Sequence, residues 1–191
     1  MERFSYTRRM EKKFDPSHLD IKTFAQAEGE LDGASPLPLW SRLMLEQVAG
    51  GEAASAVRWH LQGRSVSVSG AADEVWLDLE AEVNLPMQCQ RCLKPVLTPV
   101  LAERSFRFVA DEATAAALDD EAEEDILVLS REFDALALVE DELIMALPLV
   151  PRHDVCPEVV TMAVSDPEVE TEQARPHPFA ALASLKKTPS A

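Results

Sequence analysis

Two cysteines separated by two residues are the sharpest chemical feature of the sequence. Cys89-Gln-Arg-Cys92 lies between two segments in which apolar and polar residues alternate, which is the pattern of β-strands. A turn of this kind can supply two thiolates to a tetrahedral zinc ion, which then needs two further ligands. His153 and Cys156 have suitable side chains and follow a predicted helix. The sequence therefore predicts a candidate structural Zn²⁺ site with Cys89, Cys92, His153 and Cys156 as ligands.

The alternative is that the cysteines are reduced thiols in a tight turn, because 60 residues lie between Cys92 and His153. An odd number of cysteines, three in all, favours thiols or a metal site over disulfides. A thioredoxin-like redox pair is disfavoured, since the motif does not open a helix after a parallel strand. The metal and thiol interpretations both remain open at this point.

Basic residues are concentrated around the cysteine turn, in contrast to the acidic remainder of the chain. The four are Arg91, Lys94, Arg104 and Arg107. They are candidates for contacts with RNA phosphates, with Arg91 at the tip of the turn. The alternative is that they only keep the strands soluble. A second basic group lies near the N-terminus and has the same two interpretations; its members are Arg8, Arg9, Lys12 and Lys13.

Residues that could carry catalysis do not form a recognisable arrangement. Glu140, Asp141 and Glu142 are adjacent, and neighbouring positions of a helix point in different directions. The four histidines are scattered, and the sequence has neither a nucleophile elbow nor a glycine-rich phosphate loop. We therefore expect a protein that is not an enzyme.

The charge of the chain limits the partners it can bind. With 18 Lys+Arg and 34 Asp+Glu among 191 residues, the formal net charge is −16, which disfavours general binding to nucleic acid or to an anionic membrane. Residues 111–125 contribute eight of the acids and residues 154–174 another six, with no base in either segment. The rest of the chain therefore has a net charge of only −2, so we expect any contact with RNA to be local.

The first half of the chain predicts a basic arm followed by two helices. Residues 1–16 form the arm, and apolar spacing predicts a first helix from Ser17 to Ala27, after which Gly29 and Gly33 break the pattern. A second helix is predicted to begin at Ser35 as N-cap, with Pro36 in the first turn, and to end at Gly50-Gly51. Its apolar stripe would consist of Leu39, Trp40, Leu43, Met44 and Val48.

The central segment predicts a sheet. Residues 53–109 alternate apolar and polar side chains, and Pro99 indicates an edge position or a bulge. The longest alternation predicts a half-buried strand, with these apolar residues on its buried face: Val75, Leu77, Leu79, Ala81, Val83, Leu85 and Met87. Residues 111–125 read as an acidic loop or a frayed helix, Ile126–Leu129 as a strand and Asp134–Leu147 as a helix. We therefore predict an α+β fold, an antiparallel β-meander or small barrel flanked by N-terminal and C-terminal helices. The predicted domain spans residues 17–153, followed by an acidic linker at 154–174 and a helical tail at 175–191.

No run of 18 apolar residues and no apolar signal segment near the N-terminus is present in the sequence. Together with the odd number of cysteines, this favours a cytoplasmic protein.

Three longer segments resemble one protein family. They are Leu85–Val96, Val139–Asp154 followed by Cys156, and Arg175–Lys186. In this order and spacing they resemble the YceD family, the large ribosomal RNA subunit accumulation proteins. The resemblance implies a cytoplasmic protein that supports synthesis, processing or stability of large-subunit (23S) rRNA, and it supplies no catalytic residues. His177 departs from the family pattern, since relatives usually carry Asn between the two prolines.

Two functions of different classes follow from the sequence. The first is a non-enzymatic accessory factor in ribosome biogenesis, which binds precursor or mature large-subunit rRNA or the proteins that assemble on it. The second is an acidic adaptor that docks a basic ribosomal protein or a nuclease without contacting RNA itself. A zinc hydrolase is disfavoured, because four protein ligands close the metal site.

Overall fold

The computed structural model describes residues 14–70, 72–118 and 122–158. These residues form one sheet with helices packed against it, and two short 3₁₀ turns lie between the first two strands, at Leu37–Leu39 and Leu43–Glu46. The elements, in chain order, are α1 (Ile21–Gln26), β1 (Glu30–Ser35), β2 (Val57–Val66), β3 (Glu74–Gln88), β4 (Pro95–Val109), α2 (Glu112–Leu118), β5 (Asp125–Val128) and α3 (Ala135–Met145).

The sheet has five strands in the order β1-β2-β3-β4-β5. The first four pair antiparallel as a meander, and β5 pairs parallel to the end of β4. This confirms the α+β prediction. The small barrel is wrong: β1 and β5 are the two edges of an open sheet, and α1 and α3 pack on the face that a barrel would have enclosed. The parallel β5 is a further departure from the predicted meander.

The core lies against β3, the strand with the longest predicted alternation of apolar and polar residues. On β3, the odd-numbered residues are buried as expected: Val75, Leu77, Leu79, Ala81, Val83, Leu85 and Met87. Phe24 from α1 and Val139 and Leu143 from α3 are also buried in this cluster. Since side chains alternate between the faces of a strand, the even-numbered residues of β3 lie on the opposite, outer face.

The predicted helix from Ser35 to Val48 is wrong. Its place is taken by the end of β1 and the two 3₁₀ turns, and stripe residues Leu39 and Met44 are 73% and 42% exposed. Pro38 explains part of this, because a proline removes an N–H and disfavours helical backbone in the preceding residue. Gly33, which the sequence suggests to be a break, lies inside β1. A Cβ there would be 2.5 Å from the Trp59 ring on the neighbouring strand.

The other predicted elements are present, but α1 and α3 are shorter than predicted and β5 lies one residue earlier, at Asp125–Val128. Asp20 and Asp134 cap α1 and α3, each accepting a hydrogen bond from a backbone N–H three residues on. The acidic segment at 111–125 contains α2, which fits the frayed-helix alternative. Pro99 pairs with Asn84 at a part of β4 where β5 is absent, so its predicted edge position is confirmed. Residues 1–13 of the arm, the linker from 159 onward and the tail lie outside the described residues.

A search for membrane-spanning helices among the described residues finds none of sufficient length and apolarity.

Gly63→Ala should lower the free energy of unfolding by about 2 kcal/mol, a typical cost of overpacking a core. A Cβ at this position would lie 2.6 Å from the Phe24 ring and 3.0 Å from the backbone of Ala25, so α1 must shift away from β2. Urea unfolding measures the change. The matched control is Gln62→Ala at the adjacent exposed position, for which a change within about 0.5 kcal/mol is expected. Equal stability of the two variants would contradict the close approach of α1 to β2.

Candidate metal centre and the basic residues around it

The turn between β3 and β4 holds the first two candidate ligands. The N–H of Cys89 donates to the carbonyl of Lys94, and the N–H of Leu93 donates to the carbonyl of Cys89, both at 2.9 Å. Leu93 has a φ of 59°, a left-handed conformation that non-glycine residues adopt rarely. Cys89 is buried and Cys92 half-buried. The turn therefore fixes two thiols close together.

The chain after α3 lies against this turn. The N–H of Gln90 donates to the carbonyl of Pro151 at 2.8 Å. The Arg91 guanidinium donates to the carbonyls of His153 and Asp154, at 2.9 and 3.2 Å. These contacts join residues 61 to 63 positions apart in the sequence and bring His153 to the cysteine turn.

The four predicted ligands come together in the structure. Their ligand atoms, in Cys89, Cys92, His153 and Cys156, all lie within 4.8 Å of one another. The Cys92 Sγ is 3.4 Å from the His153 Nδ1. Zn–S bonds near 2.3 Å and Zn–N bonds near 2.05 Å in a tetrahedron place S and N about 3.5 Å apart, so this edge of the cluster fits zinc. No other group of three or more candidate ligands is found in the described part of the chain.

The surroundings of Cys89 favour its thiolate. Burial opposes ionisation, but backbone hydrogen bonds at Cys92, His153 and Arg91, together with the His153 side chain, lower the pKa of the Cys89 thiol to about 5. The three cysteines form no disulfide. Since the thiolate is the form that binds metals, the donor set and its hydrogen bonds suit a metal ion with an affinity for sulfur.

The structure divides the four predicted RNA-binding residues into two pairs. Arg91 and Lys94 are exposed on the cysteine turn. Arg104 and Arg107 lie farther along β4, where each is engaged by carboxylates. The four therefore do not form one continuous basic surface around the turn.

The second pair, Arg104 and Arg107, is bound by carboxylates. Arg104 lies 3.4 Å from a carboxylate oxygen of Glu142 on α3, and burial raises the pKa of the Glu142 carboxyl while Arg104 opposes the shift. Arg107 is only 17% exposed and lies 3.3 Å from Glu74. Its Nε is 3.1 Å from Glu124, an ion pair whose geometry is too bent for a hydrogen bond. These arginines link the sheet to the acidic segments beside it.

A groove of about 440 Å³ between β1 and α3 was missed from the sequence. Trp40 and Trp59 are among the residues that line it. The sequence analysis predicted no strand between Ala27 and Ser35, where β1 forms one wall of the groove. No local signal marks this groove, because it depends on the contact of Gly33 with Trp59 on another strand.

Comparison with known proteins identifies a family. Residues 77–186 match the family described as "Large ribosomal RNA subunit accumulation protein YceD". A protein of that name from Haemophilus influenzae (strain ATCC 51907 / DSM 11121 / KW20 / Rd) is 34% identical over 110 residues, which cover 56% of this chain and 63% of the relative. The chain thus spans somewhat less than two thirds of that relative's length. No solved structure matches the chain.

Proposed function

Because the chain belongs to the YceD family of large ribosomal RNA subunit accumulation proteins, we propose that it supports the accumulation of large-subunit (23S) rRNA in the cytoplasm. The observation that carries this proposal is the family match over residues 77–186, which contain the whole candidate metal centre and α3. The proposed role is that of a non-enzymatic accessory factor. Four protein ligands around one metal support this, because they leave no open position for a reacting water.

The metal of the centre is proposed to be Zn²⁺ in a structural role. Three thiolates and one imidazole are a common donor set for structural zinc. When bound, the ion would hold the β3–β4 turn to the segment that follows α3. The two exposed basic residues of the turn, Arg91 and Lys94, would then be presented in a fixed geometry to rRNA phosphates. Arg104 and Arg107 would support the fold through their carboxylate partners.

The rRNA proposal predicts a specific defect in cells that lack this protein. In a deletion strain, the ratio of 23S to 16S rRNA should fall, and large-subunit peaks in sucrose gradients should shrink. A copy carrying Arg91→Glu and Lys94→Glu should fail to restore the ratio, whereas Gln90→Ala in the same turn should restore it. Normal large-subunit profiles in the deletion strain, with no precursor rRNA recovered by crosslinking, would reject the proposal.

A second candidate function is the acidic adaptor, and the outer face of the sheet favours it. Asp32, His60, Glu80 and Glu103 are register partners in a row across β1 to β4. Like charges directly opposite each other, as Glu80 and Glu103 are, destabilise a sheet. No ion pair of the described residues involves the three acids of this row. A basic protein would relieve this repulsion. Gel-shift assays discriminate the two functions, because direct RNA binding should weaken steeply with salt and with loss of Arg91.

A further inference from the structure

Among the described residues, nothing pairs with the outer edge of β1. The N–H of Gly63 on β2 donates to the carbonyl of Gly29 at 2.8 Å, and hydrogen-bonded pairs in antiparallel strands recur at every second residue. The residues of β1 that bond to β2 are therefore Leu31, Gly33 and Ser35. The backbone groups of Glu30, Asp32 and Ala34 point away from the sheet, and no backbone group among the described residues bonds to them.

An aromatic groove runs beside this free edge. Gly33, Ala34 and Ser35 form one wall, and the first turns of α3 form the other. The Trp59 ring covers Gly33, and Trp40 is held by a hydrogen bond from its Nε1 to the Ser35 hydroxyl at 3.0 Å. Leu39, which is 73% exposed, also lines the groove. A strand added to β1 would direct every second side chain toward this groove.

The charged side chains of β1 itself are both acidic. Glu30 and Asp32 are exposed on the outer face of β1. Asp134 lines the groove, and none of the described lysines or arginines does. The carboxylate of Glu140, also at the groove, is already bonded to Arg42 and Leu43. A strand whose outward side chains are Lys or Arg would complement the exposed acids.

We propose that the β1 edge and its groove bind an extended segment of a basic protein as a sixth strand. Backbone hydrogen bonds would be made with Glu30, Asp32 and Ala34. Apolar side chains at alternate positions would enter the groove against Trp59 and Leu39, and the basic residues between them would face the acids of β1. Main-chain bonds supply affinity in such strand addition, and the pockets for alternate side chains supply specificity.

The test uses the full chain and a fluorescein-labelled peptide, Lys-Val-Lys-Leu-Lys-Val-Lys, in fluorescence-anisotropy titrations without RNA. The peptide should bind, and Asp32→Lys should weaken binding at least tenfold. Asp73→Lys makes the same change of charge at an exposed residue just before β3, away from the β1 edge, and should change affinity less than threefold. Amide hydrogen exchange should slow at Glu30, Asp32 and Ala34 when the peptide is added.

Two N-methylated peptides separate strand addition from general attraction of charges. N-methyl groups on the amides that face β1 should abolish binding, whereas N-methyl groups on the other alternate amides should leave it intact. Equal loss with both peptides would overturn the proposal, as would equal binding of Glu-Val-Glu-Leu-Glu-Val-Glu. So would a short RNA that displaces the peptide, or a dimer of the chain in sedimentation that the peptide does not dissociate. The peptide titrations contain no RNA. A failure of the peptide to bind would therefore not count against the rRNA proposal.

Discussion

Cys92→Ala should abolish metal binding and lower the unfolding temperature by about 10 °C. The unaltered chain, purified without chelators, is expected to carry one zinc ion. The Cys92 Sγ lies 3.4 Å from the His153 Nδ1, so its loss removes one corner of the proposed tetrahedron at the point where two distant segments meet. Elemental analysis gives the zinc content, and thermal unfolding followed by circular dichroism gives the stability.

The size of this effect follows from linkage. A ligand present at about a thousand times its dissociation constant stabilises the native state by about 4 kcal/mol. For a chain of this length, each kcal/mol shifts the unfolding temperature by about 2–4 °C. The sheet has a large core of its own around β3, so the domain should stay folded at room temperature without metal, unlike an isolated zinc finger.

Two controls make the metal result interpretable. Gln90→Ala changes an exposed residue of the same turn and should keep both the zinc and the stability. Addition of a strong chelator to the unaltered chain should reproduce the Cys92→Ala unfolding temperature. A metal-free preparation with three titratable thiols, whose stability does not respond to zinc, would contradict the metal centre.

Much of the sheet could be predicted because one physical rule governs it. The alternation from Val75 to Met87 reports a strand with one buried face, and the structure buries this set. β1 obeys the same rule but could not be recognised, because it is short and lies at an edge. Gly33 was interpreted as a break. Its role depends on Trp59, a residue of another strand, and such long-range contacts have no local signal.

The residue types predicted the four ligands of the candidate metal centre, and the structure shows that these ligands lie close together. Cys-x-x-Cys is a local pattern, whereas the approach of His153 depends on backbone contacts such as that of Gln90 with Pro151. The four predicted RNA-binding residues behave in the opposite way, because residues close in sequence are separated in the structure. Arg104 and Arg107 are near the turn in sequence, but β4 carries them along the sheet to carboxylates on α3 and elsewhere. Nearness in sequence along a strand does not keep residues together, because each residue advances about 3.3 Å.

Glu140→Ala should lower the free energy of unfolding by about 3 kcal/mol. The Glu140 carboxylate is nearly buried, at 8% exposure, and accepts hydrogen bonds from the backbone N–H groups of Arg42 and Leu43, at 2.8 and 3.1 Å. It also pairs with the Arg42 side chain at 3.1 Å. Bonds to a charged group are each worth about 1.5–3 kcal/mol, and the unsatisfied donors add a cost. Urea unfolding gives the free energy, and an unchanged m-value would show that the native state keeps its compactness.

The neighbouring carboxylate provides the matched control for this effect. Asp141 pairs with the same arginine but is 52% exposed, and an exposed ion pair is worth at most about 1 kcal/mol. Asp141→Ala should therefore cost under about 1 kcal/mol, and Glu140→Gln, which keeps an acceptor oxygen, should fall between the two alanine variants. Equal losses in both alanine variants would mean that the attraction to Arg42, and not the backbone bonds of Glu140, holds α3 to the 3₁₀ turn at Leu43–Glu46.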